Sequence, residues 1–238
     1  LGDAKTYYPT RHGFDEWLGI PYSNDMDWEV DGINLSNIFT PPQDAAEKYR
    51  QVYPRVQKQI FNPDINDWQV PLIYSQRQLD GSFNDIELER PANQNLITQR
   101  YTRESIRFMH ESVKAKKPFF LYLSHSMPHV PLFSSPEFSG KSQKGIYGDV
   151  IEEIDWSVGQ ILTAVKALAI DKNTYLVFTS DNGPWLIFGD HAGSAKPLRN
   201  GKATTFEGGM RVMTLFSGPG IEQGVIKDLG MQTDLYAT

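Results

Sequence analysis

The 238 residues contain no cysteine, which excludes a disulfide framework and any thiolate metal site and leaves the redox compartment open. No apolar run comes near the ~20 residues needed to cross a bilayer, so no transmembrane helix is expected. Positive charge is also short. Lys and Arg number 23 against 29 Asp and Glu, and the resulting net charge of -6 argues against a nucleic-acid partner. The opening residues, Leu1-Gly-Asp-Ala-Lys, lack the basic and apolar regions of a signal peptide. They do not begin with Met, so a processed or partial chain is the expectation. Internal repeats, low-complexity tracts and a Gly-x-x-x-x-Gly-Lys phosphate loop are absent as well.

What is present is the composition of a soluble globular protein, 39% hydrophobic and 22% charged, with enough length for a substantial core. Residues 1–93 read as loop-rich, and from 21 to 93 Asn, Asp, Gln, Pro and Tyr dominate, as in an insertion lying over a more regular body. One helix is expected there over 45–59, with Pro54 kinking or splitting it. Residues 94–238 are more regular. Helical spacing of Leu96, Ile97, Tyr101, Ile106, Met109 and Val113 predicts a helix over 95–116. Val150, Ile154, Val158, Ile161, Val165 and Leu168 predict a second over 148–170. PFFLYLS (118–124), TYLVFTS (174–180) and RVMTLFS (211–217) read as short buried strands. Helices alternating with such strands give an α/β sheet flanked by helices, in which ligands collect beyond the carboxyl ends of the strands.

Chemistry-bearing residues fall at those ends. After TYLVFTS comes Asp181-Asn182-Gly183-Pro184. A carboxylate and an amide carbonyl are hard donors suited to calcium or magnesium, although Asp-Asn-Gly-Pro is equally plain turn chemistry. A calcium ion takes ~6–8 oxygens, so further ligands would have to come from elsewhere. After PFFLYLS, the loop SHSMPHVPL carries His125 and His129, with Pro128 and Pro131 opposing a helical pair. His129, held between the two prolines, is the better candidate, against the ordinary reading of a hydrogen-bonding loop histidine. In LRNGKATTFEGGMRV, Lys202 offers a compact positive charge to an anionic group, or is a solvated surface lysine. A hard cation, a histidine and a lysine converging on one crevice would suit hydrolysis of a charged oxyanion ester.

In that order, PFFLYLSHSMPHVPL, YGDVIEEIDWSVGQIL, FTSDNGP and LRNGKATTFEGGMRV closely resemble the type I sulfatases, the arylsulfatase family of the alkaline phosphatase superfamily. LGDAKTYYPTRHGFDEWLGIPYSNDMD resembles the segment after the family's Gly-Lys-Trp-His motif, so the likeness is firmest over 1–26 and 95–236. The resemblance implies an alkaline phosphatase-like α/β sandwich with a central, mostly parallel sheet, incomplete in this chain. It implies that Asp181 and Asn182 are calcium ligands, with magnesium the lesser alternative. It assigns His129 to the sulfate and the leaving-group oxygen, and Lys202 to the sulfate and to departure of the leaving group. It further implies a small-molecule or carbohydrate sulfate ester as substrate, and a secreted, periplasmic or lysosomal location.

The departures are as informative. The family's nucleophile is a hydrated formylglycine made within Cys/Ser-x-Pro-x-Arg, and no Cys or Ser holds that position here; Tyr7-Tyr8-Pro9-Thr10-Arg11 puts tyrosine there. The early Asp-Asp pair and the Gly-Lys-Trp-His lysine and histidine are also missing, and Ala237 and Met213 replace usual prolines. The expectation is a fragment of a sulfatase domain carrying half of its site and inactive alone. A sulfatase-like binding module without catalysis, and a phosphate or phosphonate ester hydrolase of the same superfamily, remain as alternatives.

Overall fold

A computed structural model describes residues 2–30, 33–34, 54, 56 and 58–237. Its strands are β1 (Glu16–Gly19), β2 (Glu29–Val30), β3 (Ile33–Asn34), β4 (Leu72–Arg77), β5 (Phe83–Glu89), β6 (Leu176–Thr179) and β7 (Thr214–Ser217). The helices that matter for the site are α1 (Ile97–Lys114), α2 (Gly145–Ala167) and the single turn α3 (Glu207–Met210). β1, β4 and β5 form one sheet in that order, β2 pairs with β3, and β6 pairs with β7. Every ladder among the described residues is antiparallel, so the parallel part of the expected sheet is not formed by them.

The β4–β5 hairpin was not expected from sequence. Its turn places Gly81 at φ 83°, and Asp80 accepts hydrogen bonds from the backbone and hydroxyl of Ser82. On one flank Arg11 donates two hydrogen bonds to the Asp85 carboxylate, at 2.8 and 2.6 Å, while its guanidinium lies 4.0 Å from the Phe83 ring centroid. That guanidinium holds the Asp85 carboxyl below its usual range.

The main core draws on both the loop-rich and the regular halves of the chain. Trp28, Trp68, Val70 and Leu72 pack with Ile97, Tyr101, Met127, Val130, Leu132 and Val150. Ile97, Tyr101, Ser105 and Met109 recur every four residues and form the buried stripe of α1. Where α1 meets α2, Thr102 and Ser157 share a buried hydroxyl–hydroxyl hydrogen bond of 2.6 Å, so small side chains let the two backbones approach. A satellite cluster of Met109, Ala164 and Val165 receives Phe119, Leu121 and Leu176.

Both predicted helices are present, with every end within two or three residues of its expected bound. Of the helix expected over 45–59, positions 54, 56 and 58–59 are helical, continuing to 61, and the remainder lies outside the described residues. The predicted buried strands differ more. PFFLYLS forms no ladder: Phe119, Leu121 and Leu123 are partly covered, while Phe120 and Tyr122 are 72% and 71% exposed. β6 shows Val177 and Phe178 to solvent, and all of β7 is exposed. A run with apolar residues on both faces needs a layer on each, and here only the α1–α2 side supplies one. No described helix is long and apolar enough to cross a membrane.

Candidate functional site

The site is built where two loops cross. The first follows β6. Ser180 and Asp181 leave the strand, and the Asp181 carboxylate accepts a 2.9 Å hydrogen bond from the Asn182 backbone N–H. Gly183 N–H then donates to Gly209 O at 3.0 Å. The second loop, residues 199–209, returns the contact, with Lys202 N–H donating to Pro184 O at 2.8 Å. Within it, Gly208 N–H donates to Arg199 O and the Thr204 hydroxyl to Gly201 O.

The crossing depends on glycine because the two backbones touch. A Cβ at Gly183 would stand 1.8 Å from Gly208 O, and one at Gly201 would stand 2.1 Å from Pro184 O. Inside the second loop, a Cβ at Gly209 would stand 2.4 Å from Gly201 O. The strings DNGP and NGKATTFEGG therefore interlock as backbone. Ala203, next to Lys202, sits at φ 68°, a left-handed conformation that is unfavourable for a residue with a Cβ.

His129 arrives from the loop after 118–124. Asn24, fully buried, donates to Gln94 Oε1 and to Pro131 O, both at 3.1 Å, and clamps that loop from beneath. His129 Nδ1 lies 2.7 Å from Val130 O. That contact assigns the proton to Nδ1 and leaves Nε2 as the available nitrogen. The His129 ring stands 5.7 Å from the Trp185 ring, centroid to centroid, and Lys202 Nζ lies 4.8 Å from the same indole. Trp185 in turn meets Phe188 edge-on at 4.8 Å.

The structure thus joins His129 and Lys202 through Trp185, and places Asp181 and Asn182 on the loop that carries Trp185. Among the described residues, no hydrogen bond or ion pair links the Asp181 or Asn182 side chains to His129 or Lys202. Neither His125 nor His191 joins the site. His125 is buried against Tyr101, 3.3 Å from the Ser157 hydroxyl, and desolvation lowers its pKa to about 4. Burial also lowers His191, which packs edge-on against Phe61 at 4.9 Å. Trp185 and Asn24 were missed from sequence. The proximity of glycines in both loops was the readable signal for the crossing, but an indole after a turn carries no motif.

The residues present fit a hard cation in part. Asp181 offers an exposed carboxylate with no Lys or Arg paired to it among the described residues, and Asn182 offers a neutral oxygen. No group of three or more His, Cys, Asp or Glu that could hold a metal occurs among the described residues, so these two side chains amount to a partial shell.

The His129 imidazole and the Lys202 ammonium thus share one aromatic wall, on the loop that also carries Asp181 and Asn182. The sulfatase family model matches residues 3–238, and the chain belongs to that family. It is 34% identical to N-acetylgalactosamine-6-sulfatase of Mus musculus over 100% of this chain and 40% of that protein. It is 33% identical to arylsulfatase A of Bos taurus over 100% of this chain and 42% of that protein. The crystal structure of the PsFucS1 sulfatase from Pseudoalteromonas sp. matches with a TM-score of 0.67 and 26% identity, over 92% of this chain and 40% of the other. The alkaline phosphatase-like α/β fold expected from the resemblance is the fold of these neighbours. The chain spans about two fifths of the length of the relatives it matches.

Proposed function

We propose that this chain is part of a sulfuric ester hydrolase of arylsulfatase type, which cleaves a sulfate ester to an alcohol and inorganic sulfate. The observation that supports it is the meeting of His129 and Lys202 at Trp185, beside the loop that bears Asp181 and Asn182. In this reading the Lys202 ammonium binds the sulfate and stabilises charge on the bridging oxygen as the ester bond lengthens. His129, with Nδ1 tied to Val130 O, presents Nε2 to that oxygen and, when protonated, donates to it. Asp181 and Asn182 would hold the metal, calcium in preference to magnesium, through the hard oxygen donors that such a cation takes. Such an ion, when bound, neutralises the sulfate oxygens.

The nucleophile belongs to a formylglycine motif outside these 238 residues, because the chain has no cysteine and no serine at the required spacing. The substrate is a sulfated carbohydrate or another small-molecule sulfate ester. Relatives named for N-acetylgalactosamine 6-sulfate and steryl sulfate chemistry lie at comparable similarity, 34% and 40% identity, the latter over only 57% of this chain. A secreted, periplasmic or lysosomal location goes with this reading.

The coding sequence upstream of Leu1 is the first test, with a Cys- or Ser-x-Pro-x-Arg motif expected there. The protein carrying that motif should hydrolyse an aryl sulfate faster than the matched phosphate, and Lys202→Ala should lower kcat by about 10²–10³-fold. Faster phosphate turnover would move the protein to the phosphate or phosphonate hydrolases. No motif and no turnover would make it a binding module, and full turnover by the 238 residues alone would overturn the nucleophile assignment.

A further inference from the structure

The geometry points to Trp185 as a positioning residue that restrains the Lys202 ammonium and the His129 imidazole together without consuming the donors either needs. This inference rests on the hydrolase reading above and adds a residue to it.

Lys202 Nζ lies 4.8 Å from the Trp185 ring, inside the ~6 Å range of a cation–π contact. Among the described residues Lys202 has no ion pair and no side-chain hydrogen bond; the indole is its partner. The choice of partner matters chemically. A carboxylate would hold the ammonium by neutralising it and by occupying its N–H groups. An aromatic face attracts the cation through its quadrupole and leaves all three N–H donors and the full charge for an anionic ligand. His129 is likewise held without loss of a nitrogen: its ring stands 5.7 Å from the indole, Nδ1 is bound to Val130 O, and Nε2 has no hydrogen bond among the described residues.

Trp185 is itself held. Phe188 meets it edge-on at 4.8 Å and is buried, and Phe188 is backed by Phe61 at 6.1 Å. Its backbone is fixed on the preceding side by the Pro184 O to Lys202 N–H bond. The indole is therefore a rigid wall that the lysine backbone is tied to and the lysine head folds back over. A bulky apolar side chain at 185 would fill the space; it would not attract the ammonium.

The test uses the full-length protein and three substitutions, Trp185→Leu, Trp185→Phe and Lys202→Met. Trp185→Leu should lower kcat by about two- to thirtyfold, the equivalent of ~0.5–2 kcal/mol for a cation–π contact at ~1.4 kcal/mol per tenfold, with a smaller change in KM. Trp185→Phe should recover part of that loss. In a Lys202→Met background, Trp185→Leu should cost less, only the part exerted through His129 remaining. Independently of turnover, the ε-methylene protons of Lys202 in lysine-labelled protein should show an upfield ring-current shift, assigned by its disappearance in Lys202→Met. Absence of that shift, or an equal effect of Trp185→Leu with and without Lys202, overturns the inference and leaves the hydrolase reading standing. If Lys202→Met alone leaves turnover unchanged, the hydrolase reading fails, whatever the ring-current shift shows.

Discussion

In β4, Leu72 and Ile73 are shut away from water, whereas along β6 and β7 most side chains of the same chemistry face it. Leu72 in β4 is 1% exposed and Leu215 in β7 is 63% exposed. Both lie in short strands paired antiparallel, so neither residue type nor strand geometry accounts for the difference. What differs is the number of layers. β4 has the tryptophan-rich cluster and α1 against it; β6 has the satellite cluster on one side, through Leu176, and solvent on the other. Burial is a property of the assembly around a strand, and among the described residues that assembly is complete around Leu72 of β4 and one-sided at β6 and β7.

The largest expected effect follows directly. Leu72→Ala should destabilise the 238-residue chain by about 2–5 kcal/mol, as buried leucines do, and Leu215→Ala by less than about 0.5 kcal/mol. Urea denaturation of both variants measures the contrast. A cost at Leu215 comparable to that at Leu72 would mean that β7 is covered in solution.

One place in the exposed half should behave like the buried half. Gly183→Ala would set a methyl group against Gly208 O and endanger the Gly183 N–H to Gly209 O bond, for an expected loss of about 2–4 kcal/mol. Gly159→Ala is the control: it lies within α2 with nothing inside 4 Å of the added Cβ, and should stabilise by up to about 1 kcal/mol. Equal and small effects at both positions, read from denaturant midpoints, would dissolve the loop crossing.

The smallest effect in this set concerns pH. His125, buried against Tyr101 and Ser157, has its folded-state pKa lowered to about 4 by burial, against an unfolded value near 6.5. The unfolded chain then binds more protons between those values, so stability is present above pH ~6.5 and is lost as pH falls toward ~4. Between pH 7 and 5 the loss should be about 2 kcal/mol from this residue. In His125→Gln that part of the slope should vanish, which stability curves at the two pH values would check.

Legibility from sequence tracked the same division. α1 and α2 were readable because each repeats apolar residues at helical spacing for several turns. β5 was not, because FNDIELE is a mostly exposed strand whose polar and apolar residues do not sort cleanly. The strands expected to be buried were identified as oily runs, but their oiliness records a layer that the described residues do not supply. In the site, Asp181, Asn182, His129 and Lys202 stood out through residue type and order, and the structure brings two of them to one indole. Trp185 and Asn24 did not stand out. A ring and an amide acquire a role only from what lies within reach, and a lone residue letter carries none of that.

The glycine crossing also limits where this part of the chain can change length. An extra residue between 181 and 184, or between 199 and 209, would shift the register at which the two backbones meet and separate Lys202 N–H from Pro184 O. The interval 194–197 lies outside both the crossing and the Trp185–Phe188 contact, with Ser194, Lys196 and Pro197 exposed. Insertions placed there would lengthen the path between the two loops and leave their junction intact, so diversity in the rim of the site has a ready place to accumulate while its floor keeps a fixed length.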